Sequence, residues 1–116
     1  MIMSMNTIRI DQGNLYIDAA TYSLFFAGLE TIALLQRENG FFILPVNGQA
    51  SGGRLMKMRN SKGDRVITAT DFLEQCGFDY DHEVFCNAKW DSNMSALFVE
   101  SPVLVKQDSN ITEQAI

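Results

Sequence analysis

The chain is short of the residue types on which most enzyme chemistry depends. It has one histidine, His82, and two cysteines, Cys76 and Cys86, in 116 residues. No Gx[ST]xG setting appears, and His82 and Cys86, four apart, do not meet on a strand, which leaves nucleophilic catalysis little to work with. Cysteines ten apart have neither the CxxC spacing nor the pattern of a disulfide framework, so both read as small buried hydrophobes. Long apolar runs are missing too. The longest, YSLFFAGLETIALL, is interrupted by Glu30 and is too short to span a bilayer. The first ten residues, MIMSMNTIRI, lack a basic region leading into an apolar core, so no signal peptide is expected and the expected location is cytoplasmic. With no repeat and no low-complexity segment, the sequence predicts one globular domain over 1–103 and a polar, frayed tail over 104–116.

Positive charge is scarce but concentrated. Nine Lys and Arg stand against fourteen Asp and Glu, for a net charge of -5. Residues 1–50 net -2, residues 51–70 net +4, and residues 71–116 net -7. A uniformly acidic chain would be repelled by nucleic acid, whereas a segregated one can still present a positive patch.

Four polar stretches flanked by β-type sequence organise the chain: DQGN at 11, RENG at 37, NSKGD at 60 and WDSN at 90. Each reads as a hairpin turn, with Gly13, Gly40 or Gly63 supplying positive φ in three of them. The implied pairs are 5–10 with 14–20, 31–38 with 41–46, 54–60 with 65–69, and 83–90 with 95–101. The stretch over 19–37 also has helical composition, but Thr21, Thr31, Ile32 and the Asn39-Gly40 turn favour extended structure. One helix is predicted in TDFLEQCGF, over 71–77. Thr70 or Asp71 would cap it, acids fill its first turn, and Gly77 fits the left-handed position at its end. The fold class is therefore mainly β, about eight short strands in hairpins forming a small barrel or sandwich, with one short helix.

Several constellations deserve testing against chemistry. GQASGGRL, from Gly48 to Leu55, has GxxxxG spacing but is followed by Arg54 and Leu55 where a phosphate-binding loop needs Lys and Ser or Thr, so it reads as a connector. Asp79, Asp81, His82 and Glu83 lie between Cys76 and Cys86, yet C-x5-H-x3-C matches no structural zinc pattern. If Glu83 to Trp90 is a strand, Cys86 shares a face with Val84 and faces the core, and Phe85 shares the other face with Asn87. Fourteen acids offer many carboxylate pairs, and nothing selects one. Phe25, Phe26, Phe41, Phe42, Phe85 and Phe98 all fall in expected strands, mostly away from the basic segment, and core packing accounts for them better than stacking on bases. No metal and no cofactor is expected, and the chain is not read as an enzyme.

The remaining feature is SGGRLMKMRNSKGDR over 51–65, which holds five bases: Arg54, Lys57, Arg59, Lys62 and Arg65. Strand alternation puts Arg54, Met56 and Met58 on one face and Leu55, Lys57 and Arg59 on the other. Lys57, Arg59, Lys62 and Arg65 would then form a basic ridge, anchored by the methionines, that could line phosphates or meet the acidic C-terminal half.

From Met56 the order of elements, MKMRNSKGDRVITATDFLEQCGFDYDHEVFCNAKWDSNMSALFV, resembles the swapped-hairpin family of AbrB, MazE and SymE-like proteins. The resemblance covers 56–101. It implies a basic hairpin that contacts DNA, an intertwined dimer and, in MazE-like members, toxin binding; Lys57, Arg59, Lys62 and Arg65 stand at the matching positions. Asp64, between Gly63 and Arg65, and Thr68, in the place of a proline, depart from the pattern. The functional expectation is a small binding or regulatory protein, homo-oligomeric, that uses the hairpin over 54–65 for nucleic acid or toxin. The alternatives are a protein-interaction or accessory subunit, or a small-molecule-binding barrel with its site under the connector from Gly48 to Gly53. No membrane partner is expected.

Overall fold

The computed structural model describes residues 6–46, 53–78 and 81–101. Eleven elements follow in order: β1 (Asn6–Asp11), β2 (Asn14–Ile17), α1 (Ala19–Phe25), β3 (Thr31–Arg37), β4 (Gly40–Val46), β5 (Arg54–Leu55), β6 (Lys57–Met58), β7 (Arg65–Thr68), α2 (Thr70–Cys76), β8 (Val84–Asp91) and β9 (Ala96–Glu100). All the strand pairings are antiparallel, in the order β5-β3-β4-β9-β8-β1-β2-β7-β6. The fold is thus mainly β, a nearly closed barrel-like sheet with two short helices.

The closure is made by the basic segment. β5 and β6 stand at opposite ends of the strand order yet are separated in sequence only by Met56. Arg54 and Leu55 pair with Ile32 and Thr31 on β3, whereas Lys57 and Met58 pair with Val66 and Arg65 on β7. Met56, 2% exposed, drops into the core at the crossover, and its N–H donates to the Glu30 carbonyl at 2.8 Å. The single strand expected over 54–60 is therefore two, because the segment leaves β3 and joins β7 at Met56. This split raises the expected eight strands to nine. Met58 does not anchor the ridge, being 59% exposed at the barrel's rim.

Strand alternation places Ile8 and Ile10 of β1, Leu15 and Ile17 of β2, Ile43, Ile67, Cys86 and Ala88, Leu97 and Val99 in the buried cluster. The four expected hairpins are present in register, the first with a two-residue turn at Gln12 and Gly13, both of positive φ. Cys86 faces inward as expected, and burial, with a smaller push from Glu100, raises its thiol to about 11.

Two corrections concern the helices. The strand expected over 14–20 ends at Ile17, and 19–25 is helical: Asp18 accepts from the Thr21 N–H at 2.8 Å and caps α1. The helical composition noticed in that stretch wins over its first seven residues, and the extended reading over 31–37. Phe25 and Phe26 are consequently at a helix end, where Phe25 stacks on Trp90 at 5.1 Å and Phe26 is buried. For α2, neither expected residue caps. Ala69 occupies that position without a side-chain hydrogen bond, Thr70 Oγ1 donates to the Gly13 carbonyl, and Asp71 turns to Arg54. Gly77 is left-handed as expected, and Phe72 and Phe78 close on Phe41 at 5.5 and 5.6 Å. α2 sits by the β1–β2 turn and α1 by the β6–β7 turn, so the helices cover opposite ends of the barrel. The tail over 104–116, Asp79 and the connector residues 47–52 lie outside the described residues.

Candidate nucleic-acid interface

The register of five strands builds a row of side chains on the outer face. Lys57 lies opposite Val66, Val66 opposite Tyr16, Tyr16 opposite Arg9, and Arg9 opposite Phe85. Directly opposed residues share a face, so all five point the same way, with Cβ atoms roughly 5 Å apart from strand to strand. Their neighbours along each strand, such as Ile8, Ile10, Leu15 and Cys86, are buried, which fixes that face as the outer one. Phe85 is 63% exposed.

Two guanidiniums lie over the Tyr16 ring. The Arg9 guanidinium lies 3.9 Å from the centre of the Tyr16 ring, and that of Arg59 5.0 Å from the same ring. Arg9 also meets Asp11 at 3.3 Å and Glu83 at 3.5 Å, and Arg59 meets Asp64 at 4.0 Å. At 3.3 to 4.0 Å these contacts are long, so the guanidiniums are held more by the ring than by the acids. Arg9, Tyr16, Arg59 and Phe85 line an open groove of about 360 Å³ together with Asp18 and Asp64.

The five bases expected to act together do not all converge. Lys57 and Arg59 reach the row, and Lys62 is exposed in the adjoining turn. Arg54 leaves it: opposite the buried Ile32, it runs to the barrel's end and makes a bidentate pair with Asp71, both bonds 2.9 Å, plus a 3.1 Å bond to the Thr68 carbonyl. Arg65 leaves it as well. Lying opposite Met58 and Ile17, it has the inward parity, and its guanidinium packs 4.0 Å from the centre of the Tyr22 ring on α1. Its Nε is buried and has no hydrogen-bond partner among the described residues.

Asp64, the residue that departs from the swapped-hairpin pattern, ties the hairpin to α1. One carboxylate oxygen accepts from the Ala19 N–H at 2.7 Å and the other from Asn60 Nδ2 at 2.9 Å. The Asn60 bond first, then that from Ala19, holds this carboxyl below the usual carboxylate range. Arg54 holds Asp71 further down, to about 2. A carboxyl whose folded pKa is depressed contributes stability above its unfolded pKa and loses it as pH falls through the folded value. Urea midpoints are therefore expected to drop between about pH 4 and about pH 2, and Asp71→Asn should flatten the Asp71 part of that fall; an unchanged pH profile in the variant would contradict the assignment.

Sequence reasoning missed Arg9, Tyr16 and Phe85. The first two were within reach, since a two-residue turn at Gln12 and Gly13 sets Arg9 opposite Tyr16. Phe85 was not, because its place beside Arg9 depends on β1 pairing with β8 from the far half of the chain. Far from standing away from the basic segment, it ends the row that Lys57 begins. Among the described residues no three His, Cys, Asp or Glu side chains gather in a way that would hold a metal ion, and no helix is long and apolar enough to cross a membrane.

Comparison of the chain with protein-family models, with curated proteins and with solved structures finds no match.

Proposed function

We propose that the protein binds single-stranded nucleic acid on the outer face of its barrel. One observation carries the reading: the row from Lys57 through Val66, Tyr16 and Arg9 to Phe85 interleaves cations with apolar and aromatic groups on a surface five strands wide. Rings on a sheet face offer stacking to unpaired bases of any sequence, and the cations between them track the phosphates. Paired bases cannot present their faces, so the geometry favours a single strand over a duplex. This reading keeps Lys57, Arg59 and Lys62 from the basic hairpin and adds Arg9, Tyr16 and Phe85.

Stacking supplies most of the affinity. The acids beside Arg9 and Arg59 offset part of the positive charge, so few counterions are released on binding. With two or three phosphates neutralised, the slope of log affinity against log salt is expected at roughly -1.5 to -2, from about 0.7 per phosphate on a single strand. Fluorescence anisotropy of a labelled oligothymidylate across a salt series measures it, with a hairpin duplex as comparison. Absence of binding at the lowest salt, or tighter binding of the duplex, overturns the reading. Protein association through the exposed Leu55 and Met58 is less favoured, because Leu55, opposite Thr31, and Met58, opposite Arg65, have opposite facing on the segment and form no joint patch.

A further inference from the structure

A second set of rings and cations lies on the same outer face, on the other side of β8. Lys89 lies opposite Phe98, Phe98 opposite Phe42, and Phe42 opposite Leu35. The two phenylalanine rings meet edge to face at 5.1 Å, and the Arg37 guanidinium lies 5.3 Å from the centre of the Phe42 ring. These groups, with Trp90, border an open groove of about 620 Å³. The order across the strands is cation, ring, ring, leucine, with Arg37 two residues along from Leu35. Phe42 is only 5% exposed, so Phe98 is the accessible ring of this set.

β8 joins the two sets. Phe85, Asn87 and Lys89 alternate with the buried Cys86 and Ala88, so all three face outward along one strand. Phe85 ends the first row and Lys89 begins the second, and four residues of strand separate them by roughly 13 Å. Asn87 between them is exposed and has Thr7 opposite, so no cation or ring of β8 itself interrupts the route. The acids near the second groove are Asp91, whose carboxylate already accepts from the Asn93 and Met94 N–H groups at 2.9 and 3.1 Å, the exposed Glu38, and Glu100 on β9.

We infer that one nucleic-acid strand runs along the outside of β8, stacking one base at Phe85, beside the guanidiniums seated on Tyr16, and another at Phe98, with Lys89 between them and Arg37 at the far end on the phosphates. The inference rests on the proposed single-strand binding and assigns a second subsite to it. Two subsites on one strand act with a high effective concentration, so a strand that reaches both binds more tightly than one that fills either alone.

The test compares labelled oligothymidylates of about 4 and about 12 nucleotides, which lie within the site sizes of about 4 to 16 nucleotides found on OB-fold barrels. The longer strand is expected to bind about tenfold or more tightly than the shorter beyond the gain from added registers. The Arg37→Ala, Lys89→Ala double variant should lose that increment, while the short strand keeps most of its affinity through the first row. Equal affinities for the two lengths, or an unaltered length dependence in the variant, overturn the second subsite while single-strand binding stands. Failure of both lengths to bind overturns the reading beneath it. The same pair of lengths in oligouridylate separates RNA from DNA as the preferred strand.

Discussion

Tyr16→Ala combined with Phe85→Ala is expected to weaken binding of a short single-stranded oligonucleotide by roughly 100-fold or more. Base stacking on an aromatic side chain is worth about 1–3 kcal/mol per base, and the double variant removes both rings of the first row. The two rings play different parts. Phe85 is 63% exposed, so its removal touches little of the core and should leave thermal stability where it was. Tyr16 also seats Arg9 and Arg59, so its loss releases both guanidiniums from the surface as well. Tyr16→Phe keeps the ring and should retain most of the affinity, because the role assigned to this residue is its face. Anisotropy titrations of the three variants, beside melting curves, separate these effects; wild-type affinity in the double variant would show that the row does not stack bases.

Gly40→Ala should cost about 3 kcal/mol or more of stability. A Cβ at this position would lie 2.1 Å from the Val99 carbonyl oxygen and 2.9 Å from the Phe98 ring. The oxygen belongs to the backbone of β9, which is fixed by its pairing with β4 at Gly40–Glu100 and Phe41–Val99, so it has nowhere to go. Overpacking a sheet in this way forces backbone shifts rather than a rotamer change. Gly28 provides the comparison. Its φ is +82°, yet nothing lies within 4 Å of an added Cβ, so Gly28→Ala carries only the left-handed backbone penalty, about 1 kcal/mol. Urea titrations followed by circular dichroism should therefore rank the two variants clearly, and similar midpoints for both would refute the steric account.

What was legible in the sequence follows from how far each decision reaches along the chain. The hairpins were readable because Gly13, Asn39-Gly40 and Gly63 set local turns, and alternation alone put Cys86 inside; Phe85, grouped with the core aromatics, is exposed instead. α1 was not, because Thr21, Thr31, Ile32 and the Asn39-Gly40 turn pointed toward extended structure; the Asp18 cap and the stacking of Phe25 on Trp90 favour the helix instead. The split at Met56 was equally hidden. It arises from where β3 and β7 end up in space, and no residue in RLMKMRN marks it. Of the candidate site, the cations of the hairpin were visible as charge. Their separation into a row, an Arg54–Asp71 tie and an Arg65–Tyr22 stack depended on facings set by distant strands. The aromatics that complete the row come from β2 and β8, which sequence order keeps far apart.

The crossover at Met56 has a consequence for how the barrel breathes. β5 and β6 contribute two paired residues each, so the clasp that completes the ring is held by far fewer ladder bonds than the seven-residue pairing of β3 with β4. Short, solvent-facing pairings belong to the low end of local opening free energies. Lys57 and Arg59 ride on or beside that clasp, so the charges that would meet a phosphate are carried by the segment whose amides exchange first. A bound strand would bridge the clasp to β2 and β8 through Tyr16 and Phe85, and occupancy would be read as slowed exchange at the seam rather than as any change of fold.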